Sequence, residues 1–102
     1  MADYVEVAKL EDLPPGTGTS VTAQGKAVAV FNVDGTVYAI ADGCLHRGMP
    51  LGMGVLEGGV VRCRAHGWRF DVKTGGVVGV PGLSVVTFPS KVEDGKIFVA
   101  AG

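Results

Sequence analysis

The sequence shows no helical period: over its 102 residues no window of useful length brings apolar residues back every three or four positions. That excludes a helical architecture. Charge of one sign is not in excess either. The net charge of −1 argues against nucleic acid and acidic membrane surfaces as partners. The residues after Met1 lack the basic start and apolar core of a signal peptide. The longest uncharged run, residues 74–90, is broken by Gly75, Gly76, Gly79, Pro81, Gly82 and Pro89, so it is no membrane span. These absences point to a cytoplasmic protein. No glycine motif leads into a lysine or a helix, which removes the phosphate-binding loops. Cysteine and histidine are scarce, with two of each. In a cytosolic chain two cysteines are metal ligands or free thiols rather than a structural disulfide.

Valine and glycine are abundant: there are 18 of the first and 17 of the second, while aromatics make up 7%. Valine's branched Cβ suits the pleated sheet, and glycine suits tight turns and close backbone approach. The expectation is an all-β domain of short strands. Residues 4–8 alternate and predict a first strand, followed by a turn or short helical turn over residues 9–18, where Pro14, Pro15, Gly16 and Gly18 fall. Residues 20–24 predict a second strand. Residues 27–31 and 36–41 flank Asp34-Gly35, a strong hairpin signal. A glycine-rich connection follows, then short strands at residues 60–63, 68–71 and 77–78, a turn at Val80-Pro81-Gly82, a strand over residues 83–88, and a closing hairpin around Asp94-Gly95. One domain of this kind would have an antiparallel base made from residues 1–42 and 83–102, interrupted by a subdomain over residues 43–82.

Within that subdomain lie both cysteines and both histidines. They form two matched pairs, Cys44-Leu45-His46 and Cys63-Arg64-Ala65-His66, separated by 16 residues. A chain that places all its soft-metal ligands in one 23-residue window most simply holds one metal centre there. Two arms, each offering one thiolate and one imidazole, can grip a [2Fe–2S] rhomb from opposite sides, with Cys toward one iron and His toward the other. Gly43, Gly48 and Gly67 sit at or beside the ligands and would let amide N–H groups approach the cluster sulfurs. Cys2His2 is also a legitimate tetrahedral zinc set, although Cys-x-His is tighter than the usual zinc spacings. Nucleophilic catalysis by either cysteine is disfavoured, because two equivalent Cys/His pairs imply symmetric ligation and no oxyanion machinery is visible.

The pattern Cys-x-His-x16-Cys-x-x-His, with His66-Gly67, Phe70-Asp71, Thr74-Gly75 and the later Pro81, resembles the Rieske [2Fe–2S] family over nearly the whole chain. The resemblance implies a Rieske-like antiparallel β-sandwich base carrying a small cluster-binding subdomain of two loops. It implies one [2Fe–2S] cluster bound by Cys44, His46, Cys63 and His66, with the cysteines on the inner iron and the histidines on the outer, near the surface. Respiratory members carry an additional cysteine in each loop. Here Gly48 or Met49 and Ala65 hold those places, so that disulfide cannot form. Those high-potential members also place hydroxyl donors two and four residues after the second histidine, where this chain has Trp68 and Phe70. Fewer donors to the sulfurs leave the reduced state less stabilised, so the potential belongs at the low end of the Rieske range, about −150 mV.

The function this implies is that of a soluble one-electron carrier, not itself an enzyme. A flavoprotein or other reductase would be its donor, and a terminal oxygenase of the aromatic-ring type its acceptor. Two alternatives stay open: a Rieske-like small subunit of a larger reductase, such as nitrite reductase, and a zinc-stabilised interaction module. Among the remaining residues, all four arginines (Arg47, Arg62, Arg64, Arg69) fall between Cys44 and Phe70. They read either as a basic docking collar around the histidines or as ordinary solvated charge, since Asp42, Glu57 and Asp71 share the region. Trp68 is a contact beside the cluster or a packing residue. Met49 and Met53 are a soft partner surface or gap fillers. Leu45 reads as a water shield, and Pro81 as a rigid cover over the site.

Overall fold

The structure, a computed structural model, describes residues 4–43, 50–64 and 67–101. Among them ten strands form: β1 (Val5–Lys9), β2 (Thr17–Ala23), β3 (Lys26–Val33), β4 (Thr36–Ala41), β5 (Val55–Glu57), β6 (Val60–Arg62), β7 (Arg69–Asp71), β8 (Thr87–Phe88), β9 (Ser90–Glu93) and β10 (Lys96–Val99). They pair as three antiparallel sheets, β1-β10-β9, β2-β3-β4-β8 and β5-β6-β7. Two short 3-10 turns, Leu10–Asp12 and Leu51–Met53, complete the regular structure of the described residues.

Strand β3 explains the layering. Val28, Ala29, Val30 and Phe31 are all 0% exposed and Asn32 is 3% exposed. Successive residues of a strand face opposite ways, so a run this apolar needs cover on both sides. Val28 and Val30 join Val37, Ala39, Leu13, Ile97 and Val99 in one core, beneath the β1-β10-β9 sheet. Ala29 and Phe31 join Ile40, Leu51, Val61, Cys63, Phe70, Val72, Val77 and Val85 in another, beneath the β5-β6-β7 sheet. The β2-β3-β4-β8 sheet is therefore a middle layer, and one of its faces supports the segment that carries Cys63.

The hairpins form where turn chemistry favours them. Asp34-Gly35 and Asp94-Gly95 both have positive φ at each central residue (52 and 94°, 51 and 73°). That is the twist-matched turn that tight hairpins need. A third turn of the same kind, Gln24-Gly25 (52 and 79°), joins β2 to β3, where the sequence reading had placed Gln24 at the end of a strand. Other differences have equally local causes. Strand β2 starts at Thr17, earlier than expected, because the whole of Thr17–Ala23 pairs with β3. The glycine-rich connection contains β5, which folds back on β6 through Gly58-Gly59 and tucks Leu56 against the core. Residues 77–78 make only a single bridge, from Val77 to Phe70, and residues 83–88 form a strand only at Thr87–Phe88. Between them Gly75, Gly79 and Gly82 all have positive φ, which breaks any continuous ladder.

Asn32 is the polar member of the buried β3 run. Its side-chain amide donates to the Leu13 carbonyl (2.8 Å), and its Oδ1 accepts from the Gly35 amide (2.8 Å). The Asn32→Leu variant leaves both backbone groups unpaired. It is expected to lose about 1–3 kcal/mol, read as a lower urea midpoint at unchanged slope.

Candidate metal centre

Of the second expected pair, Cys63 lies just after β6, and the chain re-enters the sheet as β7 from Arg69. The Cys63 amide donates to the Trp68 carbonyl (2.7 Å), and the Gly67 amide donates to the Cys63 carbonyl (3.0 Å). These two bonds bring Gly67 and Trp68 back against Cys63. The return bend falls on Gly67, whose φ of +74° carries little penalty without a Cβ. Cys63 is a free thiol, 1% exposed, packed with Leu51, Val61 and Phe70. Trp68 packs partly buried against the same core, and Phe70 is fully buried within it. Trp68 and Phe70 thus both pack on this core.

The chain after β4 leads toward the first expected pair, which lies outside the described residues. Ala41 closes that strand, and the Asp42 amide donates to the Ala27 carbonyl (3.2 Å). Asp42 Oδ1 then accepts from the Gly52 amide (2.8 Å), across ten residues of chain. Gly52 lies in the Leu51–Met53 turn, flush against β2. A Cβ there would stand 2.5 Å from Ser20 Oγ and from the Thr19 carbonyl. The same turn receives the second loop: Arg64 Nε donates to the Met53 carbonyl. Gly54, just beyond, approaches β6 so closely that a Cβ would meet the Arg62 carbonyl at 2.5 Å. Asp42, from the foot of one loop, and Arg64, from within the other, are thereby fastened to neighbouring residues of one short turn. In the sequence Asp42 reads as a local charge, and Arg64 as part of a basic collar or as solvated charge. A contact spanning ten residues leaves no mark in composition or spacing.

A third segment adjoins the second loop. Residues 77–83 are closed by the Val77 amide on the Leu83 carbonyl (2.9 Å), and the Val78 amide donates to the Arg69 carbonyl (2.8 Å). A small cavity of about 230 Å³ lies between this segment and Gly67, Trp68 and Arg69, with Val77, Val78 and Val80 along its wall. Pro81, considered as a cover, is exposed on this segment, and valines line the cavity. Met53 is 60% exposed and fills no gap.

Of the four expected ligands, Cys63 is among the described residues. Cys44, His46 and His66 lie outside them, as do Leu45, Arg47, Gly48, Met49 and Ala65. The described frame fits an iron–sulfur group. Among the described residues one buried cysteine, Cys63, forms no disulfide and sits in a water-poor apolar setting of the kind that tunes such centres.

Comparison with known proteins bears on the same region. Residues 3–89 match the family described as Rieske [2Fe-2S] domain. The ferredoxin component of the naphthalene 1,2-dioxygenase/salicylate 5-hydroxylase systems of a Ralstonia species is 33% identical over 98 residues, 95% of this chain and 94% of the relative. The solved ferredoxin of carbazole 1,9a-dioxygenase from Nocardioides aromaticivorans IC177 is 35% identical, covering 99% of this chain and 100% of that one at a TM-score of 0.90. A chain in the solved complex of reduced oxygenase and oxidized ferredoxin of carbazole 1,9a-dioxygenase is 33% identical, covering 95% of this chain and 92% of its own at a TM-score of 0.86.

The turn that receives both loops sets an order of sensitivity. Asp42→Ala and Arg64→Met each remove one partly exposed hydrogen bond and are expected to cost about 0.5–1.5 kcal/mol. Gly52→Ala drives a Cβ into backbone and should cost more, about 1–3 kcal/mol. Unfolding of the cluster-loaded protein in urea checks the ranking, and all three variants should bleach faster in the visible under a chelator than the parent does.

Proposed function

This chain belongs to the Rieske [2Fe–2S] domain family, and on that footing we propose a one-electron carrier between a reductase and a terminal oxygenase of the aromatic-ring-attacking kind. It carries a [2Fe–2S] cluster rather than a zinc ion, and it is an electron-carrying ferredoxin component rather than an enzyme in itself. The observation that carries the reading is the likeness to dioxygenase ferredoxin components through nearly the whole of both chains. The solved oxygenase–ferredoxin pair of the carbazole system supports a terminal oxygenase as the acceptor. A flavoprotein or other reductase is the donor in this reading. Aromatic-compound oxidation in the cytoplasm is its setting, and among the described residues no helix is long and apolar enough to cross a membrane.

Cys44, His46, Cys63 and His66 are proposed as the ligand set, and residues 43–82 as the subdomain that presents them. When bound, the cluster supplies reversible one-electron exchange without bond making at carbon. What the chain contributes is placement and exclusion of water. The Cys63 thiolate is kept dry by Leu51, Val61 and Phe70, which limits proton leakage and hydrolysis at its metal bond. Two backbone hydrogen bonds hold Gly67 and Trp68 against Cys63, so little rearrangement at Cys63 accompanies a change of charge. Among the described residues, no disulfide braces the loops. The Asp42 and Arg64 hydrogen bonds to the Leu51–Met53 turn serve that purpose instead.

Two outcomes follow. A spectroelectrochemical titration is expected to give a midpoint near the low end of the Rieske range, about −150 mV; a clearly positive value would contradict the reading of Trp68 and Phe70. In a reconstituted chain of reductase, this protein and oxygenase, omission of the protein should abolish product formation coupled to reduced nicotinamide. Cys63→Ser should abolish it as well and leave a nearly colourless protein.

A further inference from the structure

The outward face of the β6–β7 ribbon ends in an arginine rung. Inward, Val61 pairs with Phe70 and both are fully buried; outward, Arg62 pairs directly with Arg69. This rung is the last before the loop of residues 63–68. Like charges directly opposite each other on antiparallel strands oppose pairing, and little here offsets them. Glu57 approaches Arg62 at 3.9 Å, with the two side chains 71% and 51% exposed, a contact worth little in water. Asp71, two pairs further from the loop on the same outward face, accepts from the Lys73 amide through Oδ1 (2.8 Å) and makes no ion pair with either arginine. Among the described residues Arg69 has no ion-pair partner.

The chain contains a second like-charged rung, Lys9 opposite Lys96. There the shared depression also holds Glu11 and Asp94, two carboxylates for two ammonium groups. The arginine rung opens on a depression of about 740 Å³ lined by Glu57, Val60, Arg62, Gly67, Arg69 and Val78, with one carboxylate for two guanidinium groups. Gly67 and Val78 also line the smaller cavity beside Trp68, so the basic face runs into an apolar margin where Val78 and Val80 are 42% and 44% exposed. Arginine beside exposed aliphatic surface is the composition of an interface, and forked guanidinium groups match carboxylates in pairs.

We propose that this face is the docking surface for a carboxylate-rich patch on the protein that exchanges electrons with the cluster. The inference rests on the carrier reading and adds to it where the partner sits and what charge it bears. Arg62 and Arg69 steer the acidic patch to the loop of residues 63–68, and the valine margin is covered on contact. The cost of the like-charged rung is relieved only in the complex.

Small redox reagents of opposite charge test this without a named partner. The reduced protein is mixed in a stopped-flow instrument with hexacyanoferrate(III), which takes one electron to become hexacyanoferrate(II). In parallel it is mixed with hexaammineruthenium(III), which takes one electron to become its ruthenium(II) form. The double variants Arg62→Gln/Arg69→Gln and Lys9→Gln/Lys96→Gln carry the same net charge, −1 minus 2, or −3. At low ionic strength the arginine variant should react at least about threefold more slowly with the anion and faster with the cation, both effects fading as salt rises. The lysine variant should change neither rate by as much. A changed driving force would move both rates in one direction, so opposite movement isolates the local field. Equal effects from the two variants, or none from the arginine variant, would overturn the proposal. Failure of the carrier reading is separable: the parent protein would then show no visible absorbance that dithionite bleaches, and both inferences would fall together.

Discussion

Strand β3 has no face it can show to water. Five consecutive residues, from Val28 to Asn32, are buried, and a strand presents alternate side chains to opposite sides. Both sides of the middle sheet must therefore be roofed. One roof is the β1-β10-β9 sheet, which draws the two ends of the described chain together. The other is the small β5-β6-β7 sheet together with the Leu51–Met53 turn. Because Phe31, Leu51, Val61, Cys63 and Phe70 share one core, Cys63 is anchored by the same packing that satisfies β3. Folding of the base and placement of that thiol are one event rather than two.

The demand for cover also explains the glycines around the turn. Leu51 must reach the core while its neighbours lie against backbone, and a side chain at Gly52 or Gly54 would collide with β2 or β6. The turn is thus pressed between two layers, and it is this fixed element that Asp42 and Arg64 grip. Among the described residues, these hydrogen bonds to a rigid turn tie Asp42 and Arg64 into register with each other.

Much of this could be read before any coordinates were in hand. The all-β class followed from valine and glycine content together with the missing helical period. The hairpins at Asp34-Gly35 and Asp94-Gly95 followed from residues that tolerate positive φ. What escaped had physical reasons. Gln24-Gly25 makes the same turn with a residue less associated with it. Strand β5 was hidden because its three residues lie among glycines and exist only by pairing with β6. Residues 77–78 and 83–86 looked like strands because their valines are β-formers, yet positive-φ glycines break the ladder there. Around the candidate metal centre, residue types and spacing single out Cys44, His46, Cys63 and His66 as expected ligands, of which only Cys63 is among the described residues; the fastening of Asp42 and Arg64 to one turn, and the meeting of Arg62 with Arg69, depend on register that no local pattern encodes.

The account of function stands on a thiolate and an imidazole from each of two loops meeting on a pair of irons. Among the described residues, Leu51, Val61 and Phe70 keep Cys63 buried, as that reading requires. The measurement that tests this most directly is electron paramagnetic resonance of the dithionite-reduced protein, with pulsed detection of nitrogen couplings. A rhombic mixed-valence signal coupled to two imidazole nitrogens is the predicted result. A reduced protein with no such signal, or with a cluster signal free of nitrogen coupling, would contradict it.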